Sequence, residues 1–268
     1  MKIKLIILVL VYRNTKDLIP FFESLRSKIL YPYKIIVVES FYNDEVHNKL
    51  LELQIFHKFD LIKTENKGYG SGNNIGISYA LKNYEFDYLI LSNSDLIIKN
   101  FFNLDDHFIA YPNSILGPII TTKKGKNQNP FIPFRFKFLI NAYHLSFYNS
   151  DKFLYTFTIM FNKLLRLIFL IKMFLLNKKT LKTYSIHGSF IVFPKSFLHL
   201  QSEIFNSKVF LYFEELHLAE LARFKNYKFF VSRRLNVIHF EDGSTFNQKN
   251  TFTIQKNSFQ TFYSEWFE

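Results

Sequence analysis

The chain has 268 residues, of which 34 are Phe, 16 Tyr and 1 Trp; 48% are hydrophobic and 21% charged. With 8 Gly and 7 Pro it is not a disordered, collagenous or low-complexity chain, and its length suits one large domain or a domain with an appendage. The absence of cysteine excludes a disulfide scaffold, a Cys-ligated zinc or iron–sulfur site and a thiol nucleophile, so any metal must use oxygen or imidazole ligands.

The formal charge of +12 is local. Residues 121–183 hold twelve Lys and Arg against one acid, Asp151, and the rest of the chain is close to neutral, as in an ordinary soluble enzyme. The basic excess coincides with the greasiest part of the chain. At the amino terminus, Lys2 and Lys4 lead an apolar run that meets Arg13-Asn14 without a small-residue cleavage site, and the run is short for a membrane span. It reads as a buried first strand, and a cytoplasmic address is the expectation.

The first 120 residues alternate β-rich runs with helical stretches, the pattern of a mainly parallel sheet with crossover helices. Strands are expected at 3–11, 35–38, 60–63, 88–91 and 115–120. Leu18, Phe21, Phe22 and Leu25 recur at helical spacing, a second helix is expected over Asp44–His57, and a third from Asn73 or Asn74 onward. A β/α region resumes at 189–193 after the basic segment. A helix follows Phe213, then short strands at 228–231 and 237–239, while the last 25 residues show no clear periodicity.

In open sheets of this kind ligands bind beyond the carboxyl ends of the strands. The first strand leads into Tyr12-Arg13-Asn14 and the second into Glu39, an acid able to accept from a nucleoside or simply to sit in solvent. The stretch Asn66-Lys67-Gly68-Tyr69-Gly70-Ser71-Gly72-Asn73-Asn74 resembles neither the dinucleotide fingerprint nor a phosphate loop, but its glycines let backbone approach a ligand or form a flexible turn. Asn93-Ser94-Asp95 closes another strand. A carboxylate there suits Mg²⁺ or Mn²⁺, and equally a turn. Glu214-Glu215 stands at a helix start, preceded by a strand-like run at 209–213, and His239 ends a later strand.

Taken in order, these features resemble the family 2 glycosyltransferases, particularly bacterial enzymes of the rhamnosyltransferase and galactofuranosyltransferase kind that build surface polysaccharides. The resemblance covers roughly residues 3–120 and 184–245, leaving the basic segment and the tail outside. It implies an α/β, GT-A-like, Rossmann-like sheet with flanking helices, carrying a basic aromatic helical insert. The domains would be 1–120 (nucleotide-sugar half), 121–183 (insert), 184–245 (acceptor and catalytic half) and 246–268 (tail).

By the same resemblance, Tyr12, Asn14, Glu39, Asn66, Gly68, Gly72, Asn73, Asn93 and Ser94 would bind the nucleotide sugar. Asp95 and His239 would hold the divalent cation, Mg²⁺ or Mn²⁺. Glu215 would be the base with Glu214 supporting it, and Gly188 and His217 would meet the acceptor. Two positions depart from the family pattern: Asn93 replaces the first Asp of the metal motif, and His217 stands where many relatives carry an Asp. The implied reaction is an inverting transfer from a UDP- or dTDP-hexose to a hydroxyl of a lipid-linked saccharide, as in O-antigen or capsule synthesis.

The insert carries a competing class of function, a peripheral membrane or single-stranded nucleic-acid binding protein on a degenerate glycosyltransferase-like fold. Residues 153–176 are dominated by Leu, Ile, Phe and Met with sparse charges, which suits a lipid interface better than stacked bases, so nucleic acid is not an expected partner. At 100° per residue, Asn162, Lys163, Arg166, Asn177 and Lys178 share an arc of about 160°, with Lys172 opposite. The expectations are an anionic membrane surface on the inner face of the bacterial cytoplasmic membrane, or a helical lid on the catalytic domain.

Overall fold

The structure, a computed structural model, describes residues 3–240 and 251–268. In chain order it comprises β1 (Leu5–Val11), α1 (Leu18–Lys28), β2 (Tyr33–Ser40), α2 (Asp44–His57), β3 (Asp60–Thr64), α3 (Tyr69–Asn83), β4 (Tyr88–Asn93), β5 (Leu96–Asn100), α4 (Leu104–Ala110) and β6 (Ser114–Thr122). There follow α5 (Lys137–Tyr148), α6 (Lys152–Leu175), β7 (Thr180–Thr183), β8 (Phe190–Pro194), α7 (Lys195–Leu198), α8 (Glu214–Phe224), β9 (Lys228–His239) and α9 (Thr251–Trp266).

All the described strands join one sheet, ordered β3-β2-β1-β4-β8-β6-β9-β5, with β7 also paired to β9. The expected α/β architecture is present. Its first four strands are parallel; beyond them β8 runs antiparallel to β4 and β6, and β9 runs parallel to β6.

Period-two alternation along β1 explains how both faces are filled. Leu5, Ile7, Val9 and Val11 join Phe21, Phe22 and Leu25 of α1 on one side, while Ile6 and Leu8 join Ile77 and Ala80 of α3 on the other. A third cluster lies beyond the sheet, where Tyr143 and Phe147 of α5, Leu165 of α6 and Phe259 and Phe262 of α9 meet Phe213 and Leu216.

Several expectations are corrected. The strands at 228–231 and 237–239 are one strand, β9, whose pairing with β6 slips where Arg233, Arg234 and Leu235 bulge between Ser232 and Asn236. Residues 209–213 form no strand. The tail contains α9, packed on α5 and α8. The helix expected from Asn73 starts at Tyr69, so Gly70, Gly72 and Gly76 lie inside it. Their task there is close packing: a Cβ on Gly72 would meet Leu10 Cδ1 at 2.6 Å, and one on Gly76 would meet Leu8 Cδ1 at 2.3 Å. Bare backbone on this face of α3 thus lets the helix lie close to β1.

Candidate active site

Beyond the carboxyl ends of β1, β2 and β4 lies a cavity of about 630 Å³. Its sheet side holds Tyr12, Asn14, Ser40, Asn66, Asn93, Ser94 and Asp95, and its far side holds Gly188, Glu214 and Glu215, with His239 between them. Most of the residues singled out in the sequence therefore share one space. Glu39, Gly72, Asn73 and His217 do not line it.

Each exception has its own reason. Glu39 is buried, with Oε2 2.6 Å from His47 Nδ1; its Oε1 has no partner among the described residues, and the adjacent Ser40 reaches the cavity. Gly72 is occupied by packing on Leu10, and Asn73 is buried in α3 beside it. His217 points away, under α9, where its Nδ1 accepts from Trp266 Nε1 at 3.3 Å. Desolvation holds this imidazole down at about 4, so it is a neutral packing group rather than an acceptor contact.

Gly68 acts through its backbone. It caps α3 with φ 100° and ψ 170°, a conformation open essentially to glycine alone, and a Cβ there would lie 2.3 Å from the carbonyl oxygen of Phe210. We expect Gly68→Ala to destabilise the fold by about 2–4 kcal/mol, read as a lower urea midpoint with an unchanged denaturant slope.

Asp95 and His239 meet because β5 pairs with β9. Leu96 is opposite His239, and Phe240 N donates to Asp95 O at 2.9 Å. His239 Nδ1 faces Gln128 Oε1 at 2.7 Å, so it donates there, and Nε2 faces Asp95 Oδ1 at 3.2 Å. An imidazole lone pair and a carboxylate this close are reconciled by a cation between them, either a proton or a metal ion. Among the described residues no group of three or more His, Asp or Glu is placed to hold a metal. Two protein ligands nevertheless fit Mg²⁺ or Mn²⁺, which complete their shells with phosphate and water oxygens.

The acid pair sits in the first turn of α8, after two consecutive non-glycine residues in left-handed backbone, Tyr212 (φ 73°) and Phe213 (φ 64°). Strain of this kind persists where surrounding contacts over-determine it, and here the third core cluster grips Phe213. Glu215 Oε1 accepts from Gly188 N at 3.0 Å, and a Cβ on Gly188 would stand 3.1 Å from that oxygen. Gly188 thus makes room for the carboxylate. Tyr69 donates to Gly188 O at 2.9 Å and leans toward Asn93 Oδ1 at 3.3 Å, tying the two halves of the cavity together.

Burial raises both acids above the ordinary carboxylate range, Glu214 to about 8 with the Glu215 charge as a second cause. Its own backbone N–H, then the Gly188 N–H and Arg166, oppose the rise at Glu215. A raised carboxylate binds its proton more tightly folded than unfolded, so its stabilising effect is complete below about 4.5 and is lost as pH climbs through about 8. Glu214→Gln should therefore raise the melting temperature over wild type by roughly 5 °C at pH 8 and hardly at all at pH 4.5, as a calorimetric pH series would show.

Tyr69, His187 and Arg166 were not anticipated as site residues. His187 Nδ1 accepts from Ser189 N at 3.2 Å, and burial, then His239 and Arg166, hold this ring neutral with its value down at about 3. Arg166 comes from α6 and donates through Nε and Nη2 to Phe131 O at 3.0 and 2.7 Å. Asn162 donates to the same oxygen. A lone Arg in an apolar helix was the one available signal.

Fold and cavity together define a GT-A domain. The chain belongs to glycosyl transferase family 2, whose profile matches residues 6–178. That span takes in most of the segment set outside the resemblance and stops before the acid pair and His239. Comparison with curated proteins returns no match. Among solved structures, GalNAc-T7 with UDP, GalNAc and Mn²⁺ superposes with TM-score 0.60 at 11% identity, over 89% of this chain and 44% of that one. S. aureus TarS does so with TM-score 0.55 at 13% identity, over 89% and 37%. Its 1–349 fragment gives 0.56 at 12%, over 98% and 72%. The chain spans less than half the length of the first two, and identities this low speak to fold alone.

Proposed function

We propose that this chain is an inverting hexosyltransferase of the surface-polysaccharide type, using a UDP- or dTDP-sugar and a hydroxyl of a lipid-linked saccharide. The observation that carries the reading is the single cavity in which the strand-end polar residues, the Asp95–His239 pair and the Glu214–Glu215 pair face one another. The nucleotide would lie along Tyr12, Asn14 and Asn66. Asp95 and His239 would hold a divalent cation, which when bound neutralises charge on the departing diphosphate.

The chain's own groups supply the rest. Glu215, held by Gly188 N–H and drawn toward its ionised form by Arg166, takes the proton of the attacking hydroxyl. Glu214 remains protonated beside it at neutral pH, so a second negative charge does not oppose the donor diphosphate. Tyr69 fixes the distance between donor and acceptor sides.

A panel of UDP- and dTDP-sugars with Mn²⁺, read by thermal stabilisation and then by mass spectrometry of a saccharide acceptor, tests the proposal. Stabilisation by one nucleotide class and a hexose mass increment are expected. No stabilisation by any of them, with tight binding of single-stranded nucleic acid instead, would overturn it.

A further inference from the structure

Two residues of the polar arc of α6, Asn162 and Arg166, are turned inward. Thr158, Asn162, Leu165, Phe169 and Met173 are its buried stripe, and Asn162 and Arg166 are tied to Phe131 O at the cavity wall. The opposite face is apolar and uncovered: Phe153, Phe157, Met160, Leu164, Leu167 and Ile171 are between 47% and 83% exposed. At 100° per residue they occupy an arc of about 80°, widened to about 120° by Ile168 and Phe174, with Leu175 inside it. Exposed Lys163 and Lys172 stand at opposite borders of this arc, and Lys178 and Lys179 follow just past the helix. Phe138 of α5, 56% exposed, touches Phe161 and extends the surface sideways. Elsewhere Leu30, Ile109 and Phe224 are exposed singly, and Leu51, Ile55 and Phe56 make a smaller exposed apolar patch on α2.

We infer that this face of α6, with Phe138, seats the protein on an anionic lipid bilayer, with the lysines at its borders reaching the headgroups. An apolar stripe edged by lysines is the arrangement of a helix lying in a membrane interface. The charge decides between occupants. A second copy would bring an equally basic face against it, whereas anionic lipid is complementary. By length and composition α6 could cross a membrane. Its buried stripe and the bonds to Phe131 O hold it in the fold, so it lies on the surface instead. The docked face and the cavity wall are two sides of one helix. If the transferase reading holds, a lipid-borne acceptor therefore meets the cavity without leaving the bilayer.

The docking is tested without donor or acceptor, so its outcome is separate from that of the transferase reading. Full-length protein is sedimented with phosphatidylcholine vesicles with and without phosphatidylglycerol, at low and high salt. Binding is expected only to the anionic vesicles and should weaken with salt. The triple change Phe157→Ser, Leu164→Ser and Ile171→Ser, all outside the cavity, should lower the partition coefficient at least about tenfold with the melting temperature retained. Lys172→Glu with Lys178→Glu and Lys179→Glu should lower it roughly fivefold per lysine, and carries the test should the serine variant fail to fold. Absence of wild-type binding to anionic vesicles at low salt would overturn the inference. So would undiminished binding by a folded variant, or light scattering showing a dimer that the serine changes dissociate and that vesicles do not compete with.

Discussion

Replacing Glu215 with Gln is expected to lower turnover by roughly 10²–10⁴-fold while leaving donor affinity in place, the usual worth of a positioned base. The exchange keeps the acceptor oxygen that meets Gly188 N at 3.0 Å, so the side chain stays where it is and only its basicity goes. Sequence register offers no physical reason to prefer Glu215 over Glu214. Two groups in the structure do: the Gly188 N–H and the Arg166 guanidinium both favour an ionised Glu215, while Glu214 is driven toward its neutral form by burial and by Glu215 itself. Wild-type turnover should rise with pH to a midpoint above the ordinary carboxylate value, because Glu215 must lose its proton first, and this limb should vanish in Glu215→Gln. A Glu214→Gln enzyme with severely reduced turnover beside a near-normal Glu215→Gln would move the role to Glu214. Near-normal turnover in both would remove the pair from the chemistry.

What was legible in the sequence followed from local periodicity and strand-end chemistry. The long runs of β1, β2, β4 and β6 are apolar on both faces and could only be buried strands. The polar residues that interrupt them mark the cavity rim. β5 escaped because Asn93-Ser94-Asp95 reads as a turn, yet β5 is the element that carries Asp95 to His239, through a pairing no spacing in the sequence announces. The glycines of 68–76 signal close backbone approach correctly, but whether a ligand or β1 does the approaching depends on tertiary packing, and here it is Leu8 and Leu10 for Gly76 and Gly72. In α6 the angular separation of polar and apolar residues was visible. Which side faced the protein was not, since that choice rests on Phe131 O and the third core cluster. His217 illustrates the reverse error: a polar residue in the register of a functional one, absorbed into packing by α9, a helix without sequence periodicity.

Asp95→Ala is expected to reduce kcat/KM by about 10²–10³-fold and to abolish any gain in thermal stability from Mn²⁺ added with UDP. Asp95 is 6% exposed at the strand end and pairs only through Oδ1 with His239 Nε2 at 3.2 Å among its described side-chain contacts. Its loss therefore removes half of a two-residue donor set rather than a core contact. The remaining imidazole, still oriented by Gln128, is too weak a site alone for a hard cation that prefers oxygen. Asp95→Asn separates charge from shape. It retains the size of the side chain and an oxygen toward His239, so it should melt like wild type and yet be nearly as inactive as Asp95→Ala. His239→Ala should show the same loss of Mn²⁺ response with a smaller fall in activity, about 10–100-fold, since the carboxylate keeps its affinity for the ion. Chelator added to the wild type should reproduce the Asp95→Asn phenotype, and Mn²⁺ should reverse it. Full activity of Asp95→Asn, or wild-type turnover indifferent to excess chelator, would leave Asp95 and His239 as an ion pair that merely pins β5 to β9.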